Sequence, residues 1–246
     1  MKSYYSLISY DYAYLLNSIV SYYDIADEII LGLDESFLTW KCNRFQIDDC
    51  FYDKLKVIDK DKKIVIVKEN FHKHANPMQN ETEERNFLSS RCNGKFIIGV
   101  DCDEVFLNAK EFDDWLDSQL ETFDFDFLCT WKTVYKVFGD NMLVCNPYEP
   151  ALLGTCHKNS YVKARMTNNQ QVQSPLRILH FSWGRTEVEI IQKLNNWGHA
   201  NEFNVEKHLT LWRAVNLDNY KQVVNFHPLG LKKWWKSLEK IIKTNE

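Results

Sequence analysis

The chain lacks the features that mark several protein classes. Its seven cysteines stand singly, without a C-x-x-C pair, which argues against a disulfide framework or a zinc site and favours reduced thiols. No stretch approaches the roughly 20 apolar residues that a membrane-spanning helix needs, and residues 1–16 contain no apolar signal-peptide core. The net charge of −4 gives no reason to expect nucleic acid as a partner. We therefore expect a soluble, cytoplasmic protein.

The first part of the chain alternates strand-like and helix-like segments. Apolar runs at residues 5–9, 28–33, 63–67 and 95–100 predict four strands. Residues 12–23 carry apolar side chains at helical spacing. Residues 80–92 are typical of a second helix, with Asn80 as the N-cap and Glu83 three positions later. Apolar strands separated by helices favour an α/β fold with a parallel sheet.

The second part changes character. Two segments rich in aromatic and β-branched residues, 125–137 and 142–145, flank Gly139, Asp140 and Asn141 and predict a hairpin. Residues 178–181 predict another strand, and Thr186 with Glu189 forms a T-x-x-E capping box that begins a helix. Without repeats or linkers, the 246 residues predict one domain with a first half at 1–108, a second half at 109–200 and a helical extension at 201–246.

An acidic cluster follows directly after the fourth apolar run: Asp101, Cys102, Asp103 and Glu104. Ligands of open α/β sheets bind beyond the carboxyl ends of the strands. Carboxylates at i and i+2 converge where the backbone turns, and they repel each other unless a cation lies between them. Hard oxygen ligands suit Mg²⁺ or Mn²⁺, which keep positions open for phosphate oxygens. The pattern predicts a metal site, and a solvated turn is the alternative.

Two enzyme families place an acid-x-acid motif after an apolar strand. The haloacid-dehalogenase-like phosphatases use D-x-D-x-T/V, which residues 101–105 match, but they place the motif on their first strand. Three predicted strands precede it here. The GT-A glycosyltransferases, especially family 2, are resembled at several places in the family's own order: residues 6–11, 29–36, 84–86, 94–104 and 180–183.

The chain thus resembles a family 2-like GT-A glycosyltransferase. The resemblance implies a GT-A-like α/β fold, with a nucleotide-sugar-binding half at 1–108, an acceptor half at 109–200 and a donor of the UDP or GDP type. It implies donor contacts from Ser9, Tyr10, Asp34, Arg85, Asp101 and Cys102. It also implies Mn²⁺ or Mg²⁺ held by Asp101, Asp103 and His180.

Several of these residues also have a structural interpretation. Asp34 could be a turn acid, Arg85 could be an ordinary helix arginine paired with Glu81, and His180 could be packed in the core. These alternatives stay open at the level of the sequence.

An inverting transfer needs a carboxylate that deprotonates the acceptor hydroxyl. Glu149 is the first candidate, because the flanking Pro147 and Pro150 fix it on a rigid loop, and Asp140 on the hairpin is the second. An ordinary loop acid is the alternative for Glu149. The tryptophans Trp131, Trp183 and Trp197 are candidates for sugar stacking, with core packing as their alternative.

Residues 231–243 have the spacing of an amphipathic helix with five lysines. Such a helix can lie at an anionic membrane surface, or it can dock on the domain. We expect a metal-dependent, inverting glycosyltransferase acting on a glycan or lipid-linked acceptor. The rival hypotheses are a haloacid-dehalogenase-like phosphatase that uses Asp101 and Asp103, and a non-catalytic carbohydrate-binding module on the same fold.

Overall fold

The structure, a computed structural model, describes residues 1–119, 124–198 and 202–242. The described strands are β1 (Lys2–Ile8), β2 (Glu28–Asp34), β3 (Ile64–Glu69), β4 (Phe96–Gly99), β5 (Glu104–Phe106), β6 (Asp126–Phe138), β7 (Asn141–Asn146), β8 (Glu149–Thr155), β9 (Gln171–His180) and β10 (Ser237–Ile242). The α-helices are α1 (Tyr12–Tyr22), α2 (Asp49–Ile58), α3 (Pro77–Arg91), α4 (Ala109–Asp117), α5 (Glu187–Asn196) and α6 (Val205–Ala214). Short 3₁₀ helices lie at Tyr23–Ile25 and Tyr220–Gln222.

The strands form one mixed sheet in the order β10-β7-β6-β8-β4-β1-β2-β3, with β9 beside β6 and β5 beside β9. The four strands of the first half, β3, β2, β1 and β4, are mutually parallel. From β4 the sheet continues antiparallel through β8, β6, β7 and β10. The predicted α/β fold, with a parallel first half and a mixed second half, is confirmed.

Alternation along the central strand β1 builds a core on both faces of the sheet. Tyr4 faces the side covered by α1, where its ring stacks on Tyr22 with centroids 4.8 Å apart. Tyr5 belongs to the cluster on the opposite side, with Leu88 of α3. Because successive side chains of a strand point to opposite faces, a run apolar at every position indicates a strand buried on both sides. The sheet therefore lies between helices, and the strand ends meet at one edge.

The helix that contains Arg85 begins earlier than its sequence suggests. The expected N-cap, Asn80, lies inside α3, whose first residue is Pro77. The cap is Asn76, whose side chain accepts a hydrogen bond from the amide of Met78. Proline suits the first helical position because its missing N–H would have no partner there. The side-chain amide of Asn80 instead accepts a hydrogen bond from the His74 backbone N–H and donates one to the His74 carbonyl.

The predicted amphipathic helix at 231–243 is wrong. Residues 237–242 form β10, which pairs antiparallel with β7 from Ser237 opposite Asn146 to Ile242 opposite Asn141; Lys243 lies outside the described residues. The free edge of β7 offers unpaired backbone groups, and pairing with them overrides the local helical pattern. The hypothesis of a membrane-surface helix therefore loses its basis. The predicted helical extension at 201–246 is helical only in part, because it contains α6 and also the strand β10. Within the described ranges no helix is both long and apolar enough to cross a bilayer.

Two local predictions from the second half are confirmed. Gly139 adopts a φ of 58° in the turn between β6 and β7, a conformation that glycine accepts without steric cost. Thr186 caps α5, accepting from the amide of Glu189, while the Glu189 carboxylate accepts from the amide of Thr186 at 2.8 Å. The capping box matters because α5 carries Lys193 into the site described next.

Replacing Thr186 with alanine should lower the free energy of unfolding by about 1 kcal/mol, because one side-chain cap at the α5 N-terminus is lost. Thr186→Ser, which keeps the hydroxyl, should stay within about 0.5 kcal/mol of the parent chain. Chemical denaturation followed by circular dichroism measures both. Equal stability of the alanine and serine variants would contradict a role for this cap.

Candidate active site

The main cavity lies beyond the carboxyl ends of β1 and β4 and has a volume of about 370 Å³. Its basic lining residues are Arg85 on α3, Arg165 on the loop before β9, Arg185 just before α5 and Lys193 on α5. Its acidic lining residues are Asp11, Glu81, Glu84, Asp101 and Asp103. The edge of the sheet predicted to bind ligand is therefore also where the charged side chains meet.

Asp101 follows β4 and is held by two arginines. Its Oδ1 accepts from Arg85 Nη2 at 2.9 Å and lies 3.2 Å from Arg165 Nη2. Arg85 also pairs with Glu81, one helical turn earlier, at 3.1 Å. One guanidinium therefore bridges the helix acid and the motif acid, so the pair with Glu81 is confirmed, while the contact of Arg85 with the donor stays a prediction.

Asp103 is paired with two other cations. Its Oδ2 accepts from Arg185 Nη2 at 2.6 Å and lies 3.5 Å from Lys193 Nζ. The same Arg185 nitrogen reaches Asp11 Oδ2 at 2.9 Å, and the guanidinium lies 4.5 Å from the centroid of the Tyr14 ring. The side chain of Arg185 is 1% exposed, so this cluster is removed from water. Asp11 immediately precedes α1, but its side chain does not cap that helix and pairs with Arg185 instead.

The pKa values of the acids follow from these partners. Burial alone would raise the pKa of Asp101, but Arg165 and Arg85 outweigh it and hold the pKa at about 2. Burial likewise opposes ionisation of Asp103, and Lys193, His180 and Arg185 depress its pKa below the usual range. Both carboxylates are ionised at neutral pH. Burial raises the pKa of Glu84 to about 8, so that acid is largely protonated.

The predicted metal ligands do not form a preorganised metal site. His180 Nε2 lies 3.7 Å from Asp103 Oδ1, so these two residues come together as predicted. Oδ1 of Asp101 and Oδ2 of Asp103, however, already face arginine and lysine nitrogens. Across 1–119, 124–198 and 202–242, no group of three or more His, Cys, Asp or Glu side chains is arranged to hold a metal ion. As arranged, the residues do not fit a resident cation.

His180 ends β9 against an indole. Its ring lies 4.2 Å from that of Trp131, centroid to centroid, and burial lowers the pKa of His180 to about 4 despite the neighbouring Asp103. The imidazole is therefore neutral at pH 7. Its position between the acid cluster and Trp131 places it in the wall that the main cavity shares with a second one.

The predicted nucleoside contacts fall in different places. Ser9, Tyr10 and Cys102 line the main cavity. Asp34 does not, and borders a small separate cleft. Its Oδ1 accepts from the amides of Ser36 and Leu38 and its Oδ2 from that of Phe71, which is the turn-acid arrangement that the sequence left open.

The second cavity, of about 290 Å³, adjoins the first and contains Glu149. The sequence predicted a loop at Glu149, but Glu149 is the first residue of β8, opposite Trp131 of β6. Its Oε1 accepts from the indole N–H of Trp235 at 2.6 Å and from Thr133 at 3.4 Å. Burial raises its pKa although both hydrogen bonds oppose the shift. Asp140, the second candidate base, is exposed at the hairpin turn and borders neither cavity.

The tryptophans chosen from the sequence all border cavities. Trp131 and Trp197 line both, and Trp183 lines the second. Trp183 is also 2% exposed and packs in the second-half core, with its ring 4.3 Å from that of His208. Core packing and cavity lining are thus combined in the same residue.

Sequence reasoning missed three of the four basic residues: Arg165, Arg185 and Lys193. Lys193 carried a signal, because it lies between Ile190 and Leu194 on the buried stripe of α5, where a lysine needs a partner. Arg185 and Arg165 lie in loops, where no periodicity marks a buried position. Arg185 and Asp103 are 82 positions apart in the sequence, so no local pattern indicates that they pair.

Comparisons with known proteins give similarity in fold but no family. No family model and no curated protein matches the chain. The similar solved structures include a TarS 1-349 fragment from S. aureus, at 17% identity and TM-score 0.37, over 55% of this chain and 36% of that chain. HddC from Yersinia pseudotuberculosis complexed with GMP-PN gives 8% identity and TM-score 0.39, over 73% and 93%. The inositol-1-phosphate CTP transferase from T. maritima gives 10% and 0.35, over 78% and 96%.

The chain therefore spans little more than a third of the TarS fragment that it resembles. Likenesses of this strength assign no function, so the function must come from the residues of the site.

Proposed function

We propose that this chain is a glycosyltransferase that moves a sugar from a nucleotide-sugar donor to an acceptor hydroxyl. The observation that carries the proposal is the ion-pair cluster of the main cavity, in which Arg85, Arg165, Arg185 and Lys193 meet the acids after β1 and β4. Few ligands need so many buried cations at the carboxyl edge of a parallel sheet, and a diphosphate is one that does.

The donor diphosphate would exchange with carboxylates as the partner of these cations. Arg185 and Lys193 share Asp103, and Arg85 and Arg165 share Asp101, so each acid keeps one cation when the other turns to phosphate. Guanidinium groups bind phosphate oxygens in a bidentate manner. Positive groups fixed near the leaving nucleoside diphosphate stabilise the charge that develops as the sugar–phosphate bond breaks.

The nucleoside would lie along the turn after β1. Ser9 and Tyr10 offer a hydroxyl and a ring there, and Trp40 borders the same cavity. Asp34 would reach the nucleoside only by giving up backbone partners, so its predicted contact with the base or ribose is the weakest of the set. The identity of the base, uracil or guanine, is left to experiment.

The charge of the main cavity gives the metal prediction a specific form. With Glu84 protonated, the four basic residues face Asp11, Glu81, Asp101 and Asp103 in the lining, and Arg165 also pairs with the buried Glu104, so the cluster has no excess of positive charge before any ligand binds. A nucleotide-sugar brings about two negative charges from its diphosphate. A requirement for Mn²⁺ or Mg²⁺ at Asp101, Asp103 and His180 is therefore expected only in the presence of the donor.

Glu149 remains the proposed base of an inverting transfer. It is partly buried, and its raised pKa brings a carboxylate closer to the operating pH of a general base. It lies opposite Trp131, whose indole borders both cavities. An acceptor hydroxyl activated there would approach the donor sugar from the side of the second cavity.

The phosphatase hypothesis fits the chain less well. A phosphoryl-aspartate mechanism needs Asp101 as the nucleophile, and the two arginines at its Oδ1 stabilise the carboxylate and so lower its nucleophilicity. The motif also follows the fourth strand of the chain and not the first. A non-catalytic carbohydrate-binding module would have no use for the cation cluster.

A thermal-shift panel of nucleoside diphosphates and nucleotide-sugars, with and without Mn²⁺, tests the donor site. We expect one base to raise the melting temperature by about 5–10 °C at about 100-fold excess over its Kd, with the Mn²⁺ effect present only when nucleotide is present. Arg85→Gln should weaken binding about tenfold or more, because a charge-assisted bond to phosphate is lost.

Arg91→Gln is the matched control, since Arg91 is an exposed residue of the same helix. It should bind nucleotide within about twofold of the parent chain. If no nucleotide shifts the melting temperature at millimolar concentration, or if both variants lose binding equally, the proposed donor site is wrong.

Once a donor is known, the pH profile tests Glu149. The base must be ionised, so kcat for transfer should fall as the pH drops through the pKa of Glu149, at a midpoint above the ordinary value of 4.5. Glu149→Gln should lower kcat by about 10²–10⁴-fold while the affinity for the nucleoside diphosphate is kept. Asp140→Asn, at the exposed turn, should leave kcat unchanged, and the reverse pattern would move the base to Asp140.

A further inference from the structure

The second cavity differs in charge from the first, although the two share a wall. Trp131, His180, Ser182 and Trp197 border both. Where the main cavity has four basic side chains, the described lining of the second contains neither arginine nor lysine. Its ionisable residues are Glu149, Glu202, His180 and His227. Such a lining disfavours an anionic ligand such as a phosphate or a sugar acid.

The lining of the second cavity is rich in aromatic side chains. The rings that line it are Trp131, Trp183, Trp197, Phe203 and Trp235, with Pro228 and Leu229 at the loop before β10. Trp197 and Phe203 lie 6.1 Å apart, centroid to centroid, and Trp235 packs 4.8 Å from His227. Flat apolar faces of this size suit the C–H faces of a pyranose ring, and they leave a carboxylate as the nearby hydrogen-bond acceptor.

Glu149 is oriented by its neighbours. Thr133 and the Trp235 indole both donate to Oε1, and among the described residues neither of these bonds uses Oε2. That oxygen is left to accept a hydrogen bond from a ligand hydroxyl. Trp235 holds its position at a cost, since its φ of 49° lies in the left-handed region that bulky residues rarely occupy.

We propose that the second cavity is the acceptor subsite and that it takes a neutral sugar ring, stacked on Trp131 or Trp197, the partly exposed tryptophans of its lining, with one hydroxyl bonded to Glu149. This inference rests on the proposed glycosyltransferase function and adds the class of acceptor to it. A neutral ring matches the aromatic walls and the lack of described basic residues, and the shared wall at Trp131 and His180 brings its hydroxyl next to the donor. A lipid-linked acceptor would present its sugar here and its apolar part elsewhere.

Saturation-transfer NMR with defined probes tests the subsite on the full chain, in the presence of the nucleoside diphosphate found by thermal shift. The neutral probes are the methyl glycosides of glucose, galactose, mannose and N-acetylglucosamine. Glucose 6-phosphate and glucuronate are the anionic probes, and hexanol is the apolar one. We expect at least one neutral glycoside to bind more tightly than both anionic sugars and hexanol.

Two conservative variants locate the binding. Glu149→Gln keeps the side-chain shape, and Trp235→Phe keeps an aromatic ring but removes the indole N–H. Each should weaken the neutral glycoside about fivefold, the effect of one hydrogen bond, and leave the affinity for the nucleoside diphosphate unchanged. Trp115→Phe, on α4 and in the lining of neither cavity, is the matched control and should leave glycoside binding unchanged.

The outcomes separate this inference from the proposed function. Binding of hexanol but of no neutral glycoside, equal binding of glucose 6-phosphate, or glycoside binding that both variants leave unchanged would each overturn the acceptor subsite while nucleotide binding persists. If the parent chain binds no nucleotide, the donor site is overturned instead, and with it the function on which the inference rests.

Discussion

The buried ion pairs of Asp103 are the contact on which the site depends. Arg185 bridges Asp103 and Asp11, and Lys193 Nζ lies 3.5 Å from the same oxygen of Asp103, Oδ2. These residues come from the turns after β1 and β4 and from the start and middle of α5, so one cluster joins the parallel half of the sheet to the second half. Burying charges is costly unless they are paired, and removing one partner would leave an uncompensated charge inside the chain.

The pairing of buried charges also explains how an anion can bind in the main cavity, since it can replace a carboxylate as the partner of a basic side chain. Asp101 and Asp103 each have two cations, and the described cluster, in which Arg165 also pairs with Glu104, has no excess of positive charge before a ligand enters. A diphosphate can take one cation from each acid without stripping the acid of its last partner. The neighbouring cavity, with aromatic walls and no described basic residue, has the opposite character. Together the two cavities provide one place for a charged donor and one for a neutral acceptor.

The sequence predicted the elements that local pattern controls. Fully apolar runs revealed the parallel strands, the T-x-x-E pattern revealed the start of α5, and the motif after β4 revealed the site edge. Sequence patterns failed where contacts between residues far apart in the chain determine the structure. Residues 237–242 have helical spacing but pair with the free edge of β7, and Arg185 meets its acid across 82 positions of chain. Asp34 is a predicted ligand contact, but backbone amides already engage both of its oxygens: those of Ser36 and Leu38 in its own turn, and that of Phe71 after β3.

The most direct measurement is a crystal structure of the chain with the nucleoside diphosphate and Mn²⁺. We expect the diphosphate to lie beyond β1 and β4, with its oxygens within hydrogen-bond distance of at least two of Arg85, Arg165, Arg185 and Lys193. The anomalous signal of manganese should appear only beside the diphosphate. A nucleotide bound elsewhere, with all four basic side chains still paired to Asp101 and Asp103, would contradict it.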